Sequence, residues 1–275
     1  MTDATITVID ARRPAPSAAG RDVWAFRELL YFLVWRDVKV RYKQTALGAA
    51  WALIQPFATM VVFSLFFGRL AGVPSDGVPY PVFSYAALVP WTYFATALAG
   101  GANALVGSQH LISKVYFPRL IVPLAAVVTP IVDAAIALVL LAVLMAWFGV
   151  APAWPLVWLP AFAALAVLAA TAASLWLAAL NVKYRDVRYV MPFLLQFWMF
   201  VTPVAYPTSL VPEAWRGLYG LNPMVTVIEG FRWSLVGTPA PSWEMALAST
   251  VSVLVALWGG ARYFRRMESG FADVI

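Results

Sequence analysis

Residues 36–55 read RDVKVRYKQTALGAAWALIQ, and their first eight residues hold four cations and one acid before the chain turns apolar without a spacer. No charge then occurs from Gln44 to Gly68. About 20 apolar residues at 1.5 Å each cross a hydrocarbon core, so this run is long enough to span a bilayer with some tilt. A basic cluster abutting such a run marks its cytoplasmic end, because the insertion machinery and anionic lipid both favour Lys and Arg there.

Composition places the rest of the chain in the same solvent. Of 275 residues, 63% are hydrophobic and 12% charged, with a mean hydropathy of +0.79. Soluble domains carry roughly 45–50% apolar and about 25% charged residues. A net charge of +6 would point to nucleic acid in a soluble protein. Here the cations sit at the ends of apolar runs, so topology accounts for them and no nucleic-acid partner is expected. Cysteine is absent, which excludes disulfides and thiolate metal sites. Residues 1–20 carry Asp3, Asp10, Pro14 and Pro16 ahead of any apolar run and read as a cytoplasmic tail rather than a signal peptide.

The expected fold is an all-α polytopic membrane protein with six transmembrane helices, an N-terminal amphipathic interface helix and a re-entrant helix pair between spans five and six. The interface helix covers residues 21–43. Val23, Phe26, Leu30, Leu33 and Val40 fall on one side at helical spacing, and Glu28, Arg36, Lys39 and Lys43 on the other. Asp37 lands on the apolar side and requires a cation or a partner protein. The transmembrane domain covers 44–263, with spans at about 47–68, 83–106, 120–148, 156–180, 189–208 and 245–263, followed by a cytoplasmic tail at 264–275. From Ala134 to Val182 there is no charge for 49 residues, too long for one crossing. Gly149, Pro152, Pro155 and Pro160 break that run into a hairpin. Segment 206–243 holds two apolar stretches, each too short to cross, which fits a re-entrant pair or two helices flat on the outer surface. Asn222–Pro223 reads as an N-cap followed by Pro at the first helical position. Glu229 and Arg232, three residues apart, can pair across one turn of that helix. Six spans put both ends on one side, and sixteen of the nineteen Lys and Arg residues then lie there, leaving Arg69, Arg216 and Arg232 outside.

Catalytic signatures are missing. The sequence contains no G-x-x-x-x-G-K-[ST] loop for ATP phosphates, and the single His, His110, has no partner at metal-ligand spacing. No span pairs two carboxylates for acid–base hydrolysis. Hence neither a catalytic residue nor a metal site is expected. Asp133 lies inside span three next to Pro130, where a carboxylate is costly; both pairing with an arginine and a role in transport are open to it. Aromatic side chains and amides share helix faces: Trp51, Gln55 and Thr59 with Phe66 close by in span one, and Tyr189, Phe193, Gln196 and Phe200 in span five. Such faces suit sliding contact with sugar rings, and equally suit ordinary packing between helices or against lipid.

Five motifs resemble one family. RDVKVRYKQTALGAAWALIQP at 36–56 and LISKVYFPRLIVP at 111–123 resemble the opening signature and a cytoplasmic loop of permease subunits of ABC-type polysaccharide exporters, the O-antigen, teichoic acid and capsule exporters. NVKYRDVRYV at 181–190, NPMVTVIEGFRWSLVG at 222–237 and SGFADVI at 269–275 are also similar to that pattern, in the same order along almost the whole chain. The resemblance implies a channel built by two copies of the chain and powered by a dimer of a separate ATP-binding subunit. ATP and Mg then belong to that partner, and this chain holds no cofactor. It implies that 108–118 is a coupling helix, with His110, Lys114 and Tyr116 contacting the ATPase, and that Arg36, Asp37, Lys39 and Arg41 lie near the same contact. Spans one and five would line the path, and the re-entrant pair, with Glu229 and Arg232, would form an outer gate. The substrate implied is an undecaprenyl-diphosphate-linked glycan, as in lipopolysaccharide biosynthesis, moved across the cytoplasmic (inner) membrane. Arg41 and Lys43 are placed to meet its diphosphate, although both also satisfy the charge rule of a cytoplasmic flank. Two other classes remain open: a membrane enzyme of lipid-linked glycans, and a permease of the same architecture for a drug or small lipid.

Overall fold

A computed structural model describes residues 23–43, 50–115, 117–152, 154–268 and 270–271. Every regular element among them is helical. In chain order they are α1 (Arg27–Lys43), α2 (Ala50–Phe63) continued by a π-helical turn (Ser64–Leu70), α3 (Tyr80–Gly107), α4 (Gln109–Lys114), α5 (Ile121–Val128) and α6 (Ile131–Trp147). There follow a 3-10 turn (Trp154–Trp158), α7 (Leu159–Lys183), α8 (Val187–Val201), α9 (Glu213–Tyr219), α10 (Pro223–Val236) and α11 (Trp243–Glu268). Five stretches are long and apolar enough to cross a membrane: Ala50–Leu70, Tyr80–Gly107, Ile121–Trp147, Trp154–Lys183 and Trp243–Glu268. The α8 helix is apolar but only 15 residues long.

The central element is α3. Its apolar window is 78% buried, against 17–33% for the other four, so the remaining helices pack around it. Hydrocarbon offers no hydrophobic drive between helices, and close backbone approach at small residues takes over. The α3–α7 seam shows this directly. A Cβ on Gly101 would lie 2.3 Å from the Ser174 hydroxyl, and Ala169, Ala170, Ala172, Ala178 and Ala179 of α7 are all buried. Asn181 closes the seam by donating from Nδ2 to the Ala102 carbonyl at 2.8 Å and to Asn103 Oδ1 at 3.1 Å. Gly230 of α10 does the same service against α7, where a Cβ would stand 2.2 Å from the Phe162 ring. Trp176 lies over Gly259 and Gly260 of α11, donates Nε1–H to the Ala256 carbonyl at 2.9 Å and stacks on Tyr263.

A second cluster gathers at one end of the bundle. Leu33 of α1, Leu105 of α3, Ile112 of α4, Ile121 of α5, Val182 of α7 and Phe264 of α11 pack together there. Glu268 fixes the same end by accepting from the Arg119 amide at 2.9 Å, and its own carbonyl accepts from the Arg119 guanidinium. The α1 helix is anchored through Leu33, and through the partly buried Leu29, Leu30 and Val34, but Phe26 and Val40 of its expected apolar side are exposed. Tyr31, Phe32 and Trp35 are exposed as well, so its aromatic rings face outward over more than one stripe. Asp37 takes its cation from the neighbouring residue, Arg36, at 2.8 Å.

The stretch between α8 and α11 is held by polar pegs. Asn222 caps α10 by accepting from the Met224 amide at 3.1 Å, with Pro223 at the first helical position, as the sequence predicts. Trp198 donates to the same Asn222 oxygen, and the Asn222 amide donates to Thr202 Oγ1. Gly237 ends α10 in the left-handed conformation that a C-terminal glycine supplies.

Candidate functional site

Between α1, α2, α3 and α6 lies a cavity of about 300 Å³ lined by Arg41, Tyr42, Trp51, Gln55, Thr92, Tyr93, Thr96, Pro130 and Asp133, among others. The break between α5 and α6 creates it. Pro130 stands where helix α5 has ended and serves as the residue before α6, because a proline cannot donate to the preceding turn. Asp133 follows in the first turn of α6, where the helix dipole favours a negative charge. It is twelve residues into the Ile121–Trp147 stretch. Helix α1 brings two partners to it: the Arg41 guanidinium forms an ion pair with one carboxylate oxygen, and the Tyr42 hydroxyl donates to the other. Burial, and then the bond to Asp133, hold the Tyr42 phenol well above the ordinary tyrosine range, so it remains a proton donor to that carboxylate.

Of the two roles open to Asp133, the structure supplies the pairing with an arginine. A carboxylate in hydrocarbon persists when a cation and a hydroxyl cover both its oxygens. The Arg41 guanidinium, the Tyr42 phenol and the Gln55 amide line one mostly apolar cavity, together with the Asp133 carboxylate. Tyr42, Thr92, Tyr93 and Thr96 were not singled out by sequence. Tyr42 stood next to Arg41 inside the signature, but the α3 residues are polar singletons in an apolar helix and become recognisable only once α2 and α6 are packed on it.

Of the expected path residues, Trp51 and Gln55 enter this cavity; Thr59 and Phe66 lie farther along the same element. Thr59 Oγ1 bonds back to the Gln55 carbonyl at 3.0 Å, and Phe66, on the π-helical turn, is exposed. In α8, Tyr189, Phe193, Gln196 and Phe200 share one exposed face, joined by Phe197, whose ring stacks on Phe193. Lys43, at the end of α1, is exposed and does not line the cavity. Lys39 lies over the Trp35 ring at 4.1 Å. In α4, Ile112 is the buried anchor while Gln109, His110, Ser113 and Lys114 are exposed, so this short helix presents its polar side outward at the clustered end of the bundle. Tyr116 lies outside the described residues, as do the tail at 1–20 and most of the motif at 269–275.

Glu229 and Arg232 do not form an ion pair within 4 Å. Arg232, 2% exposed, turns to the backbone instead. Its Nε donates to the Phe83 carbonyl at 3.1 Å, Nη1 to Pro203 at 2.8 Å and Tyr206 at 3.4 Å, and Nη2 to Val204 at 2.8 Å. The guanidinium also stacks 3.5 Å from the Phe83 ring centre. The irregular stretch 202–206 after α8 exposes carbonyls that no helix satisfies, and a planar five-donor cation fits several of them at once. Close by, Tyr80 donates to the Ala205 carbonyl and the Tyr206 and Tyr219 hydroxyls meet at 2.8 Å. Among the described residues no group of three or more His, Cys, Asp or Glu side chains is disposed to hold a metal ion.

Comparison with known proteins adds to this geometry. The family described as ABC-2 type transporter matches residues 28–236. The O-antigen export system permease protein RfbA of Myxococcus xanthus is 33% identical over 258 residues, covering 93% of this chain and 98% of its own length. The permease of the same name from Klebsiella pneumoniae is 24% identical over 250 residues, covering 90% and 95%. The polysialic acid transport protein KpsM of Escherichia coli is 24% identical over 241 residues, covering 85% and 91%.

Proposed function

The chain belongs to the ABC-2 type transporter family, and from that membership we propose that it is the permease subunit of an ATP-driven exporter that moves a lipid-linked, O-antigen-like polysaccharide across the cytoplasmic membrane. The observation that carries this reading is the co-linear likeness to an O-antigen export permease over 93% of the chain. A permease of this kind works with an ATP-binding partner subunit, and the chain itself acts as a conduit rather than as a catalyst.

Six crossings with both flanks in the cytoplasm agree with the packing. Helix α1 precedes the first long helix and Phe264 closes the last, yet Leu33 and Phe264 share one cluster at one end of the bundle. An even number of crossings between them suits that placement, and we take α8, lengthened by the stretch after it, as the fifth of six in chain order. Segment 206–243, with short α9 and α10, then reads as the re-entrant pair at the outer end, and α1 as the interfacial helix, whose exposed Tyr31, Phe32 and Trp35 suit the headgroup layer. The exposed aromatic face of α8 and the Trp51–Gln55 face of α2 line the glycan path between two copies of the chain. Arg41, with Lys43 at the flank, meets the diphosphate of an undecaprenyl-linked substrate. The polar side of α4, with His110 and Lys114, seats in the ATP-binding subunit, and Arg36, Asp37 and Lys39 of α1 lie beside that contact.

This reading has a direct test. Purified alone, the chain hydrolyses no ATP and transfers no glycan; co-expressed with its ATP-binding partner in a strain lacking its own O-antigen permease, it restores surface O-antigen. Glycan transfer by the isolated chain would favour the membrane-enzyme class. A well-inserted complex that restores no export would favour a drug or small-lipid permease.

A further inference from the structure

The cavity at Arg41 does not end the seam between α2 and α6. Farther along the same two helices runs a second, apolar groove of about 450 Å³, lined by Phe57, Met60, Val61, Leu65, Val143 and Trp147 and their neighbours. Its one hydroxyl, on Ser64, is already spent on the Met60 carbonyl at 2.7 Å, so the groove asks for hydrocarbon and offers nothing to a polar occupant. Both walls belong to stretches long and apolar enough to cross a membrane, and Val143 and Trp147 are open to the surroundings. From Asp133 to Val143 is ten residues, about 15 Å of helix rise. That is about half the thickness of a roughly 30 Å hydrocarbon core, a distance within reach of one lipid chain.

We propose that the α2–α6 seam binds one phosphate-bearing membrane lipid, its phosphate on the Arg41 guanidinium and Tyr42 hydroxyl and one hydrocarbon chain along Phe57, Val61, Leu65, Val143 and Trp147. The proposal rests on the reading that Arg41 meets a phosphate and extends it to the chain and to Asp133. In the structure Asp133 holds the place of the phosphate, accepting from both donors. A phosphate monoester, as on undecaprenyl phosphate, brings three oxygens and more charge than a carboxylate, a diester such as phosphatidylglycerol brings two oxygens and equal charge, and a planar guanidinium matches either with two parallel hydrogen bonds. The arriving headgroup therefore displaces Asp133 from Arg41 and Tyr42, and Asp133 is a built-in competitor that keeps both donors in position when the groove is vacant. Because lipid tails are as apolar as the groove, the chain contributes fit and the headgroup contributes selection.

The test is native mass spectrometry of the purified full chain in detergent, titrated separately with undecaprenyl phosphate, phosphatidylglycerol and inorganic phosphate. Wild type retains a phosphate-bearing lipid and is not emptied by inorganic phosphate. Arg41→Gln loses retention by about tenfold, the effect of one charge-assisted pair, and Arg41→Lys recovers part of it. Val143→Trp, which fills the groove from an exposed position, loses retention while leaving the ion pair intact. Asp133→Asn decides the competitor role: retention rises, whereas a purely structural ion pair would make it fall. Equal retention by wild type, Arg41→Gln and Val143→Trp overturns the proposal, as does displacement by inorganic phosphate at the lipid's own concentration. If those results came with export intact, the permease role would stand and only the lipid groove would be lost.

Discussion

Arg232→Met removes the folded protein from solution: in detergent, the variant loses its monodisperse elution peak and its cooperative thermal unfolding. The wild-type guanidinium is the donor to carbonyls of Phe83, Pro203, Val204 and Tyr206, so it joins α3, α10 and the irregular stretch after α8 at one point. Methionine fills a similar volume but strands those acceptors in a buried site. Each buried acceptor left without its donor costs about 1–3 kcal/mol, and several stranded together are a large part of the roughly 5–15 kcal/mol that separates a typical domain from its unfolded state. Arg232→Lys, with a single ammonium that cannot reach several carbonyls in one plane, recovers only part of the loss. Glu229→Gln is mild by comparison, because Arg232 takes its partners from the backbone. Equal stability of Arg232→Met and wild type, or equal damage from Glu229→Gln, would return the residue to the simple i, i+3 pair that its sequence spacing suggests.

Lys114→Pro abolishes export while the long helices remain inserted and the partner's basal ATP hydrolysis persists. Proline at the last residue of α4 removes an amide from a helix of only six residues, and its ring crowds the carbonyl four positions earlier. Ile112 anchors that helix in the clustered end of the bundle and leaves its polar side exposed for the proposed contact with the ATP-binding subunit. Motion in the ATP-binding subunit then has one short lever through which to act. Export in vesicles should fall by more than tenfold with expression unchanged; export at the wild-type rate would remove α4 from the coupling path.

Charge and apolar length were enough to locate the five long helices, because hydrocarbon tolerates few alternatives: a charge-free run of sufficient length must be satisfied within its own backbone. Local chemistry was equally legible at Asn222–Pro223, where cap and proline act within three residues. What the sequence withheld were partners distant along the chain. Asp133 was conspicuous as a lone carboxylate, but that Arg41 and Tyr42 meet it, some ninety residues away, depends on how α1 folds back at the α5–α6 break. For a related reason Arg232 takes backbone partners instead of the acid its spacing offers. Spacing favours the nearest acid, whereas burial favours the set of partners that satisfies most donors, and backbone carbonyls have no signature in a sequence. The α1 helix was expected to show one apolar stripe, yet its aromatic residues occupy several sides, as suits a helix touching protein on one face and the headgroup layer on others.

In the proposed function this chain forms the glycan conduit while ATP is spent in a companion subunit. The most direct measurement is translocation in sealed proteoliposomes holding the permease and its ATP-binding partner, with a fluorescent undecaprenyl-diphosphate-linked glycan on the ATPase side. Glycan should become protected from an external glycosidase only when ATP, Mg and both proteins are present. Protection with the partner alone, or with this chain in the absence of ATP, would contradict it.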